Sequence, residues 1–260
     1  MATITYDFTG KSVLVTGASR GIGYGVARAF AHAGADLAIL ASGDGVHAAA
    51  EQLSSDTGCP VRAIQCDITD KEQVRAAFTT FDRLDILINN AGLERITPLT
   101  DPDDTVEDTF RRIVDINING TFLVTRYAVP KMTLGGRIIF TSSIWGRTAV
   151  AEFSAYCATK HANLGFMRSI AHELGDKGIT VNAVCPGWVK TDAAMLSLAN
   201  MSKRSGRDED DLLDEIVSAQ VLDGLMEPND MASLYLFLAS DEAHDITGQA
   251  YGLDRGEVMA

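Results

Sequence analysis

Short β-branched runs alternate with helical stretches along the whole chain, and this alternation limits the possible folds more than any other feature. The first half contains four such pairs: Ser12–Thr16 with Gly23–Ala33, Leu37–Leu40 with Val46–Ser54, Val61–Gln65 with Lys71–Thr80, and Ile86–Asn89 with Asp104–Val129. The second half predicts strands at Arg137–Thr141, Thr180–Val184 and Gln249–Leu253, and helices at Ser154–Leu174 and Pro228–Ala239. Repeated strand–helix–strand units favour a parallel sheet.

Several predicted strands are apolar throughout instead of alternating between apolar and polar residues. Val13-Leu14-Val15 and Ile86-Leu87-Ile88 contain no polar position, which is typical of parallel strands covered by helices on both faces. The 260 residues suffice for such a sheet, and no linker or internal repeat divides the chain. We therefore predict an α/β fold: a single-domain, Rossmann-type, doubly wound parallel sheet of about seven strands, with residues 1–260 forming one dinucleotide-binding catalytic domain.

One segment, residues 191–220, interrupts the strand–helix rhythm. It begins with scattered apolar residues such as Met195 and Leu198, which give way to the charged run Arg207-Asp208-Glu209-Asp210-Asp211. Two interpretations remain open at this point: a solvated helical insertion, or a lid that shields a substrate pocket from water.

The charge balance and the cysteines exclude several classes of function. The chain has 22 Lys and Arg against 35 Asp and Glu, and a net charge of −13 repels nucleic acid and anionic membranes. The four cysteines are far apart and lack metal-ligand spacing, so we expect reduced thiols and no metal site. No signal-peptide layout or membrane-length apolar run is visible, and we expect a cytoplasmic protein.

A glycine-rich turn follows the first predicted strand. Thr16-Gly17-Ala18-Ser19-Arg20-Gly21-Ile22-Gly23 leads directly into a helix, where backbone N–H groups and the helix dipole favour a pyrophosphate. A glycine turn without a ligand is the alternative. After the third strand, Asp67 has two candidate roles: it accepts a hydrogen bond from an adenine amino group, or it caps a helix beginning near Thr69.

Tyr156 and Lys160 are four residues apart in a predicted helix, so their side chains share one face. Ser143 and Asn89-Asn90-Ala91-Gly92 follow other predicted strands, and ligands gather at the carboxyl ends of parallel strands. Ketone reduction needs a hydride on carbon and a proton on oxygen, and a phenol is a weak base near pH 7. An ammonium ~4 Å away is worth roughly 4 kcal/mol, which predicts a Tyr156 pKa lowered by about three units. Ser143 is positioned to hold the substrate oxygen.

Taken together, these motifs resemble those of the short-chain dehydrogenase/reductase family over essentially the whole chain. The family's T-G-x-x-x-G-x-G matches Thr16 to Gly23, its N-N-A-G matches Asn89 to Gly92, and its Y-x-x-x-K matches Tyr156 to Lys160. Its catalytic serine, thirteen residues before the tyrosine in many members, matches Ser143.

The resemblance implies roles for individual residues. Tyr156 would be the acid/base, Lys160 would bind the cofactor ribose and tune the phenol, Ser143 would hold the substrate oxygen, and Asn117 would support a relay water beside Lys160. The implied cofactor-binding set is Gly17, Ser19, Arg20, Gly21, Ile22, Gly23, Ser42, Asp67, Ile68, Asn90, Ala91, Gly92, Tyr156, Lys160, Pro186, Gly187, Val189 and Thr191.

The cofactor choice depends on the end of the second strand. NAD-preferring members often place an aspartate where this chain has Ala41, followed by Ser42. A 2′-phosphate would meet no acid there, and Arg20 is available for a charge-assisted bond. NADP(H) is therefore favoured, while Asp44 nearby and the lack of an arginine after this strand leave NAD(H) open.

Trp188 and the Lys160-His161 pair make the chain most similar to the 3-hydroxybutyrate dehydrogenase and 3-oxoacyl reductase-like branch. The other expected substrate residues, Glu94, Trp145, Phe153 and Met195, would repel or desolvate a carboxylate. We therefore predict a neutral carbonyl or alcohol substrate, such as a small ketone, a ketose or a polyol.

Other functions remain as alternatives: a dinucleotide-binding sensor or scaffold without turnover, and a 3-hydroxyacid dehydrogenase. An epimerase or dehydratase is disfavoured because no residues remain for a separate substrate domain. The resemblance further implies a homotetramer in which the helices at Asp104–Val129 and Ser154–Leu174 pair across a subunit interface.

Overall fold

The computed structural model describes residues 4–259, and its centre is a seven-stranded sheet in which every pairing is parallel. The strands are β1 (Ser12–Thr16), β2 (Asp36–Ala41), β3 (Val61–Gln65), β4 (Leu84–Asn89), β5 (Met132–Thr141), β6 (Thr180–Pro186) and β7 (Ala250–Leu253). Their order across the sheet is β3-β2-β1-β4-β5-β6-β7. The predicted α/β doubly wound sheet is confirmed.

Helices cover both faces of the sheet. They are α1 (Gly21–His32), α2 (Gly45–Thr57), α3 (Lys71–Phe78), α4 (Thr105–Val114), α5 (Thr121–Ala128), α6 (Ser154–Leu174), α7 (Asp192–Ser205), α8 (Glu209–Ser218) and α9 (Ala232–Ala239). One hydrophobic cluster joins the sheet to α1, α2 and α9, and a second joins its other face to α3, α5 and α6. Helix α4 packs against α6.

The apolar strands predicted from the sequence lie where both faces are covered. All residues of β1, β4 and β6 are buried, whereas the edge strand β3 is half-buried along most of its length. Each fully buried aliphatic side chain contributes about 1.5–3 kcal/mol, so these strands hold the sheet together.

The helix predicted over Asp104–Val129 is interrupted. Between α4 and α5 lies a π-helical turn, Asp115–Gly120, in which the chain winds more widely. Gly120 packs so closely that a Cβ there would be 2.6 Å from the Ile68 side chain. One extra residue in a turn leaves the hydrophobic period almost unchanged, which is why the pattern predicts one continuous helix.

Smaller differences occur at element boundaries. Strand β5 begins at Met132 instead of Arg137, with a register shift opposite Leu84 and Ile86. The helix predicted from Pro228 starts as a 3₁₀ turn, Pro228–Met231, and continues as α9. The inserted segment 191–220 holds α7 and α8. Among residues 4–259, no helix has both the length and the apolar character that crossing a membrane requires.

Candidate active site

The main cleft lies where the strand order reverses, between the carboxyl ends of β1 and β4. This switch point is the common ligand site of doubly wound sheets. The cleft has a volume of about 420 Å³ and extends from the glycine turn after β1 to Tyr156 and Lys160 on α6. All eighteen residues predicted to bind a cofactor line it.

The glycines of the turn are required by backbone conformation and by close packing. Gly17 and Gly21 have φ of +66° and +59°, a region that side chains disfavour. A Cβ on Gly17 would lie 2.7 Å from Cα of Ala91, and a Cβ on Gly23 would lie 2.4 Å from Nδ2 of Asn90. The turn therefore has no room for side chains on the side that faces β4.

Thr16 and Asn90 bind the two loops to each other. Oγ1 of Thr16 accepts hydrogen bonds from the backbone N–H groups of Asn90 and Ala91, each at 3.0 Å. Nδ2 of Asn90 donates to the carbonyl oxygens of Thr16 and Gly17 at 3.0 and 3.1 Å. The glycine turn and the Asn-Asn-Ala-Gly segment thus form one rigid unit, and Thr16 is a positioning residue that the sequence analysis did not single out.

The start of α1 suits an anion. Arg20 precedes the helix in an extended conformation and makes no side-chain cap. Within residues 4–259, the backbone N–H groups of Ile22 and Gly23 have no protein acceptor. Free N–H groups at the positive end of a helix match the pyrophosphate of a dinucleotide, so the residues present fit that group.

Asp67, at the far end of the cleft, is already hydrogen-bonded within the protein. Its carboxylate accepts from the backbone N–H and hydroxyl of Thr69 at 2.9 and 2.8 Å, and from Nη2 of Arg112 at 3.1 Å. Partial burial raises the pKa of Asp67, but these hydrogen bonds outweigh it and keep the pKa below its usual value. The capping role considered for Asp67 is wrong, because α3 begins at Lys71 and Asp70 caps it.

The residues that the sequence analysis expects near a cofactor ribose line one part of the cleft. Ala41 ends β2 in a buried position, Ser42 is exposed beside it, and both line the cleft with Arg20. Asp44, which argued for NAD(H), is not among the lining residues. Arg112, which no sequence motif indicated, adds a second arginine to the lining.

Ser143, Tyr156 and Lys160 meet at the other end of the cleft. Ser143 follows β5, and its hydroxyl accepts from the backbone N–H of Trp145 at 3.1 Å. It lies near the Tyr156 phenol and lowers the pKa of Tyr156 against the larger effect of burial. Nζ of Lys160 donates to the carbonyl oxygen of Thr141 at 2.8 Å and lies 5.3 Å from the centre of the Tyr156 ring. A strand end and a helix face thus assemble two hydroxyls and one amine around a common space.

The predicted lowering of the Tyr156 pKa is wrong for the protein alone. Burial raises the pKa of Tyr156 above its ordinary value, and the charge of Glu94 raises it further. Burial also lowers the pKa of Lys160 to about 8. The ammonium is held by Thr141 over the ring, so the desolvation of the phenolate outweighs its attraction to Lys160.

Asn117 lies behind the cleft instead of lining it. Its Oδ1 accepts from the N–H of Leu93 at 2.7 Å, and its Nδ2 donates to the carbonyl of Leu93 and to Oγ1 of Thr159, both at 3.0 Å. The π-helical turn therefore clamps the segment after β4 to α6. Gly92 separates this clamp from Lys160, since a Cβ there would be 3.4 Å from Oδ1 and 3.6 Å from Nζ. The relay role of Asn117 stays a prediction.

Aromatic rings and one carboxylate form the wall beyond Tyr156. Trp145 lies edge-on to Tyr156 and to Trp188, with ring centres 6.0 Å apart in both pairs. Glu94 also lines this end, where burial raises its pKa and the nearby Ser197 opposes part of that rise.

Two predicted substrate residues do not line the cleft. Phe153 is 1% exposed and packs behind Trp145, with ring centres 5.0 Å apart, so it supports the wall without facing the space. Met195 is one residue too far along α7, and Ala193 and Ala194 line the cleft in its place. Which residues of α7 face the cleft depends on where the helix begins and how it is rotated, and the sequence pattern of this inserted segment does not determine either.

Arg204 ties the inserted segment to the body of the protein. At the end of α7 it forms ion pairs with Asp101, in the loop after β4, and with Glu152, in the loop before α6, each at 3.0 Å. At the other end of α7, Thr191 caps the helix and lines the cleft. The ion pairs therefore attach the end of α7 to two other loops, while its start borders the cleft, and no sequence motif indicated Arg204.

Comparisons with known proteins agree with this geometry. The model of the family described as Enoyl-(Acyl carrier protein) reductase matches residues 17–257. Oxidoreductase UcpA of Salmonella typhimurium is 38% identical over 258 residues, which cover 96% of this chain and 95% of that protein. D-beta-hydroxybutyrate dehydrogenase of Cupriavidus necator is 33% identical over 256 residues, covering 96% of this chain and 98% of the relative.

A solved structure shares the architecture closely. L-sorbose reductase from Gluconobacter frateurii, complexed with NADPH and L-sorbose, superimposes with a TM-score of 0.89 at 27% identity, covering 99% of this chain and 100% of the other.

Proposed function

This chain belongs to the short-chain dehydrogenase/reductase family, and from that premise we propose that it interconverts a neutral ketone and its alcohol with NADP(H). One observation carries the proposal: the hydroxyls of Ser143 and Tyr156 and the amine of Lys160 meet at one end of a cleft whose other end fits a dinucleotide pyrophosphate. A neutral ketone, ketose or polyol is the proposed substrate class.

The protein's part in the reaction is to hold the substrate oxygen and move a proton. The bound nicotinamide supplies the hydride in reduction and accepts it in oxidation. Ser143 and Tyr156 donate hydrogen bonds to the substrate oxygen, and in reduction Tyr156 transfers its proton to that oxygen. The resulting phenolate lies beside the Lys160 ammonium and regains a proton from solvent. Because burial and Glu94 keep Tyr156 protonated, the protein alone is poised for reduction.

NADP(H) is the proposed cofactor. Arg20 lines the cleft with its charge unpaired by any carboxylate of the described residues, and Ala41 presents no acid to repel a 2′-phosphate. The L-sorbose reductase that shares this fold is complexed with NADPH. NAD(H) is the alternative, and its case is weaker because Asp44 does not line the cleft.

The charges at the catalytic end favour a neutral substrate. Within the described residues, Lys160 is the basic side chain that lines this end, and it is bonded to Thr141. Glu94 opposes an anion there. A 3-hydroxyacid, the substrate type named for the Cupriavidus necator relative, would have no free cation to pair with its carboxylate.

The inserted segment and the assembly complete the proposal. Residues 191–220 act as a lid, because the start of α7 lines the cleft and Arg204 holds its far end by ion pairs that can open.

A homotetramer is proposed through α4, α5 and α6, where Phe122 is 49% exposed and packs against Phe166. We also propose a cytoplasmic location.

A substrate screen tests the function. Purified protein with NADPH and neutral ketones and ketoses, followed by loss of reduced-cofactor absorbance, should show turnover that disappears in Tyr156→Phe. Efficient oxidation of 3-hydroxybutyrate would contradict the neutral-substrate proposal. Cofactor binding without turnover of any carbonyl or alcohol would instead favour a sensor or scaffold.

A further inference from the structure

Glu94 is a carboxylate placed among the reacting groups, and the mechanism above leaves it without a role toward the substrate. It lines the catalytic end of the cleft and lies close enough to Tyr156 and Lys160 for its charge to act on both. Ser197, a buried residue of α7, lies near it and lowers the pKa of Glu94 against the effect of burial. Glu94 is thus held between the lid and the catalytic groups.

The surroundings of Glu94 provide few hydrogen-bond donors. The neighbouring wall consists of Trp145, Trp188 and the alanines of α7. A carboxylate has two oxygens with about four acceptor positions, more than the nearby Ser197 hydroxyl could fill. Glu94 is half-buried, and a bound substrate would cover its remaining acceptor positions. Covering them is costly unless the substrate supplies donors, so this carboxylate is suited to a substrate that carries a hydroxyl.

Resting on the reductase function proposed above, we propose that Glu94 selects substrates with a hydroxyl on the carbon next to the reacting carbonyl. Ser143 and Tyr156 hold the carbonyl oxygen, and Glu94 accepts a hydrogen bond from the neighbouring hydroxyl. The substrate class is therefore α-hydroxy ketones in reduction and vicinal diols in oxidation.

The same geometry disfavours charged neighbours of the carbonyl. A carboxylate would be repelled by Glu94. An ammonium would be attracted by Glu94 but would lie beside the Lys160 ammonium, whose charge already acts on the same carboxylate. A neutral hydroxyl satisfies Glu94 without either repulsion.

A matched pair of ketones isolates this contact. Hydroxyacetone and butanone differ by the exchange of a hydroxyl for a methyl group, and a longer pair with the same exchange covers a larger pocket. The wild-type kcat/KM should favour the hydroxy ketone about 10- to 100-fold, since a hydrogen bond to a charged group is involved. Glu94→Leu should bring this ratio close to one. Glu94→Gln, which keeps an acceptor oxygen, should retain most of it.

The controls separate this proposal from the one on which it rests. Glu51→Gln, on an exposed face of α2, should leave the ratio unchanged. Circular dichroism of each variant checks that it folds. Turnover of both ketones at equal kcat/KM, or an unchanged ratio in Glu94→Leu, overturns the role of Glu94 while the reductase function stands. Preference for aminoacetone that Glu94→Gln abolishes assigns the site to ammonium and also overturns it. No turnover of any ketone overturns both proposals.

Discussion

Nζ of Lys160 donates a hydrogen bond to the carbonyl oxygen of Thr141, the last residue of β5, at 2.8 Å. The amine is therefore anchored to the carboxyl end of the central sheet, although the chain that carries it belongs to α6. Its position over the Tyr156 ring is set by the packing of helix on strand, which makes the site rigid before any ligand binds.

Tyr156→Phe should abolish turnover and spare cofactor binding. The substitution removes the proton donor and one donor to the substrate oxygen but keeps the ring that packs against Trp145. We expect kcat to fall by about a thousandfold or more. Fluorescence titration with NADPH should give a Kd close to that of the wild type. Retained turnover would remove Tyr156 from the proton-transfer role.

Lys160→Met should reveal how burial destabilises the charged amine. In the folded protein the pKa of Lys160 is about 8, whereas an unfolded chain keeps lysine protonated to about pH 10.4. Between these values the unfolded state binds more protons, so wild-type stability rises with pH relative to Lys160→Met. The gain is on the order of 3 kcal/mol across this window. Urea unfolding without added cofactor measures it, and a difference independent of pH would contradict it.

Arg20→Ala should weaken NADP(H) selectively. Losing a charge-assisted bond to the 2′-phosphate should raise KM for NADPH about 10- to 100-fold and leave KM for NADH nearly unchanged. Arg75→Ala, on an exposed face of α3 away from the cleft, is the matched control. Wild-type kcat/KM about tenfold higher with NADH than with NADPH would show that the cofactor assignment is wrong.

Arg204→Ala should loosen the lid. Both ion pairs are partly exposed, so together they stabilise the closed position modestly, and we expect KM for the carbonyl substrate to rise about three- to tenfold. Arg207→Ala is the control, because Arg207 pairs with Glu215 inside the same segment. Equal effects of the two substitutions would mean that contacts to Asp101 and Glu152 do not govern closure.

Gly23→Ala should destabilise the protein and weaken cofactor binding. The added methyl would meet Asn90 and the Gly17 carbonyl at 2.4 Å, an overlap that costs about 1–3 kcal/mol or more. Gly165→Ala, at an exposed position in α6 with no atom within 4 Å of the new Cβ, should instead stabilise it by about 0.5–1 kcal/mol. Thermal unfolding of both variants compares the two glycines directly.

The sequence predicted the sheet and most of the cleft because those parts depend on local patterns. Apolar runs such as Val13-Leu14-Val15 predict buried strands, and the boundaries of β1, β3 and α6 are those expected. The turn at the end of β1 could be predicted because its backbone conformation and its close packing both require glycine. In such places a local structural requirement selects one type of residue, so the residue type predicts the local structure.

The parts that were missed depend on contacts between distant segments. Arg204 on α7 forms ion pairs with Asp101 in the loop after β4 and with Glu152 in the loop before α6. The spacing of these three residues along the chain does not predict that they are in contact. The pKa of Tyr156 depends on the balance between burial and the charges of Glu94 and Lys160, which requires three-dimensional positions. Helix register in the insertion likewise decided between Met195 and Ala194.

The π-helical turn at Asp115–Gly120 carries one residue more than a regular α-helix of the same height would hold. Deleting a single residue from it would let α4 and α5 join as one regular helix, and the wide turn that brings Asn117 to Leu93 would be lost. Asn117 would then face away from Leu93, and the loop after β4 would lose the bonds that fix it. The irregularity thus holds neighbouring parts of the protein together, and shortening the chain here would give a more regular helix but detach the segment after β4 from α6.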